Sequence, residues 1–115
     1  SSFMGSAMAA ATTPLEVTSA VQRLGENVRL ARIRRGLSQA ELAQACGITR
    51  KTLYTLEKGA SGATVATAFT VLWKLGLLNT AVALADPEAD EHGKILEAAR
   101  RPKRVRRPVD SDNDF

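Results

Sequence analysis

Residues Thr49-Arg50-Lys51-Thr52-Leu53-Tyr54-Thr55-Leu56-Glu57-Lys58-Gly59 interleave polar and apolar side chains at helical spacing. Leu53 and Leu56 fall on one face, which leaves Arg50, Lys51, Thr52 and Thr55 facing out near the start of the segment. A guanidinium or ammonium group can donate to O6 and N7 of guanine. A threonine hydroxyl can bond several base edges, and its methyl can touch that of thymine. A helix fits the major groove of B-DNA, and its N-terminal residues reach the bases. An Arg-Lys pair on a surface is usually just a solvated face, so these residues carry weight only if the flanking chain holds them in place.

The flanking chain has the features needed for that. Ser38 precedes an apolar-periodic stretch and has Glu41 three residues later, the spacing of a capping box. That helix ends at Gly47, where a positive φ is expected, and Thr49 caps the next, which ends at Gly59. Two short helices joined by three residues must cross steeply. Ala43 lies where they meet, because a larger side chain would push them apart. Leu42, Ile48, Leu53 and Leu56 point to a shared core. Gln39 opens the first of the two helices, where an amide and backbone N–H groups can hold a phosphate. The joint pattern is far more specific than any one of its parts.

The rest of the chain also reads as helix. A first helix is expected from Thr18 or Ser19 to Arg35, with Leu24, Val28, Ala31 and Arg35 in phase and Gly36 as its stop. A fourth is expected between Thr64 and Gly76, a short fifth from about Asn79 to Ala85, and a weaker sixth from Pro87 to Arg100. Residues 1–17 are small and polar and read as a flexible arm, of which Ser1 to Ser6 resembles a cloning scar and lacks the pattern of a signal peptide. The expected organisation is this arm, a globular domain over 18–85, an acidic helix over 86–99, and a tail over 100–115 that is basic and then acidic.

Charge follows the same divisions. The 115-residue chain carries a formal +4, but residues 18–85 carry +6, residues 86–99 carry −4, and residues 100–107 hold six cations and no acid. A polyanionic partner is plausible on that basis. One cysteine, Cys46, excludes an internal disulfide, and it and the lone His92 make a metal site improbable. No apolar run approaches the ~20 residues of a membrane span. No nucleophile–base pair, paired carboxylates or phosphate-binding glycine loop suggests an enzyme or a cofactor. The expected location is the cytoplasm, associated with the nucleoid.

From Leu24 to Gly76 the sequence resembles the repressor-type helix-turn-helix family of the λ and 434 repressors and their Xre-like relatives. The likeness rests on Gly36-Leu37-Ser38-Gln39-Ala40-Glu41-Leu42-Ala43, on Gly47-Ile48-Thr49, and on Leu53 to Gly59. It implies an all-α fold, a compact five-helix DNA-binding domain acting as a homodimer on double-stranded operator DNA. It further implies that Gln39 contacts phosphate, that Arg50, Lys51 and Thr55 face bases, and that Arg32 pairs with Glu57. Thr49, Thr52 and Lys58 complete the expected contacts on the domain. Glu57 could instead be a plain helix-end carboxylate. Where some relatives carry glutamines this chain has Arg50 and Lys51, so their operator sequences do not transfer.

Two features exceed that family pattern. The region Val65 to Leu84 is more apolar than a five-helix core requires, so Trp73, Leu77 and Leu78 are candidates for a dimer interface, although Trp73 could be core. The run from Leu75 through Ala83-Leu-Ala-Asp-Pro to Arg107 resembles small HipB-type antitoxin regulators. That resemblance implies an autoregulatory partner of a HipA-type kinase toxin, the alternative being a stand-alone Xre-type repressor. The cations of Arg100–Arg107, Arg104 and Arg106 among them, could lie along DNA, dock on an acidic protein, or form a solvated tail.

Overall fold

The computed structural model describes residues 13–60 and 62–101. They form helices α1 (Leu15–Arg34), α2 (Gln39–Cys46), α3 (Arg50–Lys58), α4 (Val65–Leu75), the single turn α5 (Leu78–Ala81), a 3-10 turn (Pro87–Ala89) and α6 (Glu91–Arg100), with no β-sheet among the described residues. The chain divides into two units, one ending at Ala81 and the other beginning at Val82.

The helix ends follow from their caps. Ser38 Oγ accepts from Glu41 N at 3.0 Å while Ser38 N donates to Glu41 Oε1 at 2.8 Å, so the capping box is complete. Hydrogen bonding from the Ser38 backbone N–H, with a smaller contribution from its side chain, holds the Glu41 carboxyl below the usual glutamate range. Thr49 caps α3 and Thr64 caps α4 through their hydroxyls. Gly47 (φ 72°) and Gly59 (φ 73°) close α2 and α3 in the left-handed region, as their positions require.

Three boundaries differ from expectation. The first helix begins at Leu15, so residues 15–17 are helical and not part of an arm. Pro14 sets this start: its fixed φ suits a helix entrance, and its carbonyl accepts from Val17 N and Thr18 N at 3.0 and 3.1 Å. The fifth helix ends at Ala81 after one turn; Val82–Ala85 is turn, with Ala85 at φ 57°. The segment after Pro87 is broken at Asp90, whose side chain caps α6 by accepting from Gly93 N at 2.9 Å.

In the first unit, α1 packs on α3 and α4, α2 packs on the same two helices, and α5 closes against α4. Val28, Leu42, Leu53 and Val71 are the fully buried centre, and Leu24, Ile48 and Phe69 pack around them half-buried. Arg35, expected in phase with this face, is exposed and bonds Ala31 O at 2.8 Å. Ala43 is buried, as a close α2–α3 contact requires.

A closer approach between helices involves Gly25, in the middle of α1. A Cβ there would stand 2.5 Å from the carbonyl oxygen of Leu56 and 2.6 Å from that of Glu57. Both neighbours are backbone at the end of α3, so neither can rotate away. Gly25→Ala must therefore push α1 and α3 apart, and should cost about 1–3 kcal/mol despite alanine's better helix propensity. Thermal unfolding checks this: an unchanged or raised Tm would mean that the contact relaxes freely.

Candidate nucleic-acid interface

Short α3 is held at both ends. Its start is fixed by Thr49, whose Oγ1 accepts from Thr52 N at 3.0 Å and lies 2.8 Å from Thr52 Oγ1. Its end is fixed by Glu57, a carboxylate only 5% exposed. Burying such a charge is costly unless it is paired and bonded on both oxygens. Arg32 of α1 supplies two of the bonds, Nε to Oε2 at 2.7 Å and Nη2 to Oε1 at 3.0 Å. Gln39 of α2 supplies a third, Nε2 to Oε1 at 3.0 Å. The remaining guanidinium nitrogen, Nη1, donates to Leu37 O at 2.9 Å, which fixes the loop before α2. Hydrogen bonding to Glu57 raises the Arg32 pKa, against the opposing effect of burial.

The expected Arg32–Glu57 pair is thus present, and its reach is wider than expected. Gln39 was expected to face phosphate; its side chain is half-buried and its amide nitrogen is bonded to Glu57. The amide thus helps to position α3.

Of the expected base-facing residues, Arg50 and Lys51 are exposed in the first turn of α3, with no acidic residue in that turn. Thr52 and Thr55 are half-buried beside them, and Thr49 is exposed at the cap. Lys58 is exposed one helical turn after Tyr54, and its Nζ lies 5.6 Å from the centre of that ring. Tyr54 escaped sequence reasoning. So did Arg29 and Glu26, which with Gln39, Glu57 and Lys58 complete the lining of an open polar cleft. The signal for Arg29 was present, since it lies one turn before Arg32–Ile33 on α1, but the α3 residues that line the cleft with it, Tyr54, Glu57 and Lys58, are 25 or more positions away.

Trp73, Leu77 and Leu78 are not alike. Leu77 and Leu78 pack half-buried against the core, because the turn after Gly76 folds back onto α4. Trp73 is 57% exposed, so it is not core, and Lys74 Nζ lies 5.2 Å from its ring centre. Cys46 is half-buried, and burial pushes its thiol pKa up. Among the described residues, no group of three or more His, Cys, Asp or Glu side chains could hold a metal ion, and no helix is long and apolar enough to cross a membrane. Arg104 and Arg106 lie outside the described residues.

Removing Arg32 would leave the Glu57 charge buried with a single bonding side chain, Gln39. Arg32→Ala should therefore cost about 3 kcal/mol or more in urea unfolding. A loss below about 1 kcal/mol, the value of an exposed pair, would show that the site is effectively solvated.

Residues 23–75 match the family model of a helix-turn-helix domain, a span that covers most of α1 and all of α2, α3 and α4. No curated protein and no solved structure matches the chain. The family match supports placing residues 23–75 in a helix-turn-helix DNA-binding family.

Proposed function

We propose that the chain is a sequence-specific DNA-binding regulator, a repressor that places α3 in the major groove of its operator. The observation that carries this reading is the exposure of Arg50 and Lys51 in the first turn of a helix whose far end is locked by Glu57. Base reading needs donors held in a fixed place, and a three-helix anchor supplies that. The charge of +6 over residues 18–85 supports attraction to phosphate. Arg50, Lys51 and Thr55 are the base readers in this scheme, with Thr52 beside them. Gln39, Thr49 and Lys58 face the backbone, and Arg104 and Arg106 extend that contact from the tail. Two copies acting together would meet half-sites about one helical turn, or ~34 Å, apart.

Arg50→Ala should weaken binding to the preferred duplex, selected from a randomised pool, by about 1–3 kcal/mol while hardly changing binding to random DNA. Lys58→Ala should instead weaken both alike and lower the salt dependence by about one unit of slope. Equal losses on both duplexes for Arg50→Ala would remove it from the base readers.

A narrower reading makes the chain the antitoxin of a HipA-type kinase operon. It is favoured by the segment beyond Leu75, in which an acidic helix precedes six cations and whose part after Ala81 belongs to a separate unit. On this reading a chain ending at Ala85 keeps its DNA binding and no longer neutralises a co-expressed kinase encoded beside it. Full neutralisation by the shortened chain would show that the C-terminal segment is not the inhibitory element, and no neutralisation by the full chain would leave the stand-alone repressor.

A further inference from the structure

Helix α6 has ten residues, spans about 15 Å, and buries none of them. A helix this short is marginal in water without a packing partner. Its sequence nevertheless has a contact face: His92, Ile95, Leu96 and Ala99 follow the i, i+3, i+4, i+7 spacing of one stripe. Ile95 is 66% exposed and Leu96 50%. The opposite face carries Glu91, Lys94 and Glu97.

The distribution of charge identifies what fits this stripe. The start of the helix is acidic, with Glu88, Asp90 and Glu91, and Lys94 reaches only two of them, Glu88 at 3.5 Å and Glu91 at 3.6 Å. Its end is basic, with Arg100 and Arg101 followed in sequence by four more cations to Arg107. A helix that is acidic at one end and basic at the other complements a copy of itself laid antiparallel. Parallel pairing would set like charges together. The stripe fits the same two-fold: centred between Ile95 and Leu96, it sets Ile95 of one copy against Leu96 of the other, and His92 against Ala99. A two-fold contact of this kind is self-complementary by construction.

We propose that α6 is a self-association element, pairing antiparallel with α6 of a second copy of this chain. The contact is far smaller than a standard interface of about 800 Å² per partner, so the pairing belongs to the weak, reversible class. It does not depend on the DNA-binding reading, because it is measured without DNA.

Sedimentation equilibrium of the full chain, free of DNA, tests it. The wild-type chain should show a concentration-dependent dimer, and Leu96→Glu should weaken it by roughly tenfold or more, since each dimer loses two buried leucines. Thermal unfolding shows whether the first unit stays folded in this variant. Two further chains test the orientation: one with Glu88→Lys and Glu91→Lys, the other with Arg100→Glu and Arg101→Glu. Each should self-associate more weakly than wild type, a loss that parallel pairing would not produce because like charges already meet there, and an equimolar mixture should recover association because opposite charges then meet at both ends. A wild-type chain that stays monomeric, a Leu96→Glu chain or a charge variant that dimerises as tightly as wild type, or a mixture no stronger than its components would each overturn the proposal.

Discussion

A buried carboxylate organises the first unit. Glu57 sits at the end of α3 with almost no access to water, and its charge is tolerable only because Arg32 and Gln39 occupy both oxygens. Those two residues come from α1 and α2, and Arg32 also holds the loop between them through Leu37. One anion therefore ties three helices and a connection. Apolar packing around Val28, Leu42, Leu53 and Val71 supplies the bulk of the cohesion, but it is non-directional. The ion pair and its amide partner are directional, and they fix where the far end of α3 stands.

The glycine contact works with this constraint. Gly25 lets the backbone of α1 touch the carbonyls of Leu56 and Glu57, the same turn that the ion pair grips. Gly59 continues the approach one turn later, where a Cβ would stand 2.5 Å from the Cα of Gln22. Without these two residues the helices would stand farther apart, and a guanidinium on α1 would meet Glu57 at a different angle. Close backbone packing and the charged bond are thus two parts of one joint.

Much of this was legible in the sequence because it rests on local chemistry. Ser38, Thr49 and Thr64 cap their own helices, and Gly47 and Gly59 end theirs within the same few residues that announce them. The Arg32–Glu57 pair came from the family resemblance and from its physical sense, not from spacing. What the sequence hid was tertiary. Gly25 reads as a defect within a helical pattern, and only the position of α3 gives it a purpose. Gln39 reads as a free amide at a helix start, and its partner lies 18 residues away. The apolar surplus after Val65 looked like one surface, yet Leu77 and Leu78 turn inward while Trp73 stays out. Periodicity identifies a helical face but not what covers it.

The first turn of α3 has a further consequence. Backbone N–H groups at a helix start carry a partial positive charge that favours anions, and here that turn presents Arg50 and Lys51 and no acid. The unbound protein thus holds like charges together at the one place where its own secondary structure would prefer the opposite sign. Such a local misfit is common where a surface is shaped for something outside the molecule. A polyanion brought to that turn would relieve it, and without one the arrangement costs the fold some stability. Selection for a more stable free fold and selection for a tighter complex would pull the same two positions in opposite directions.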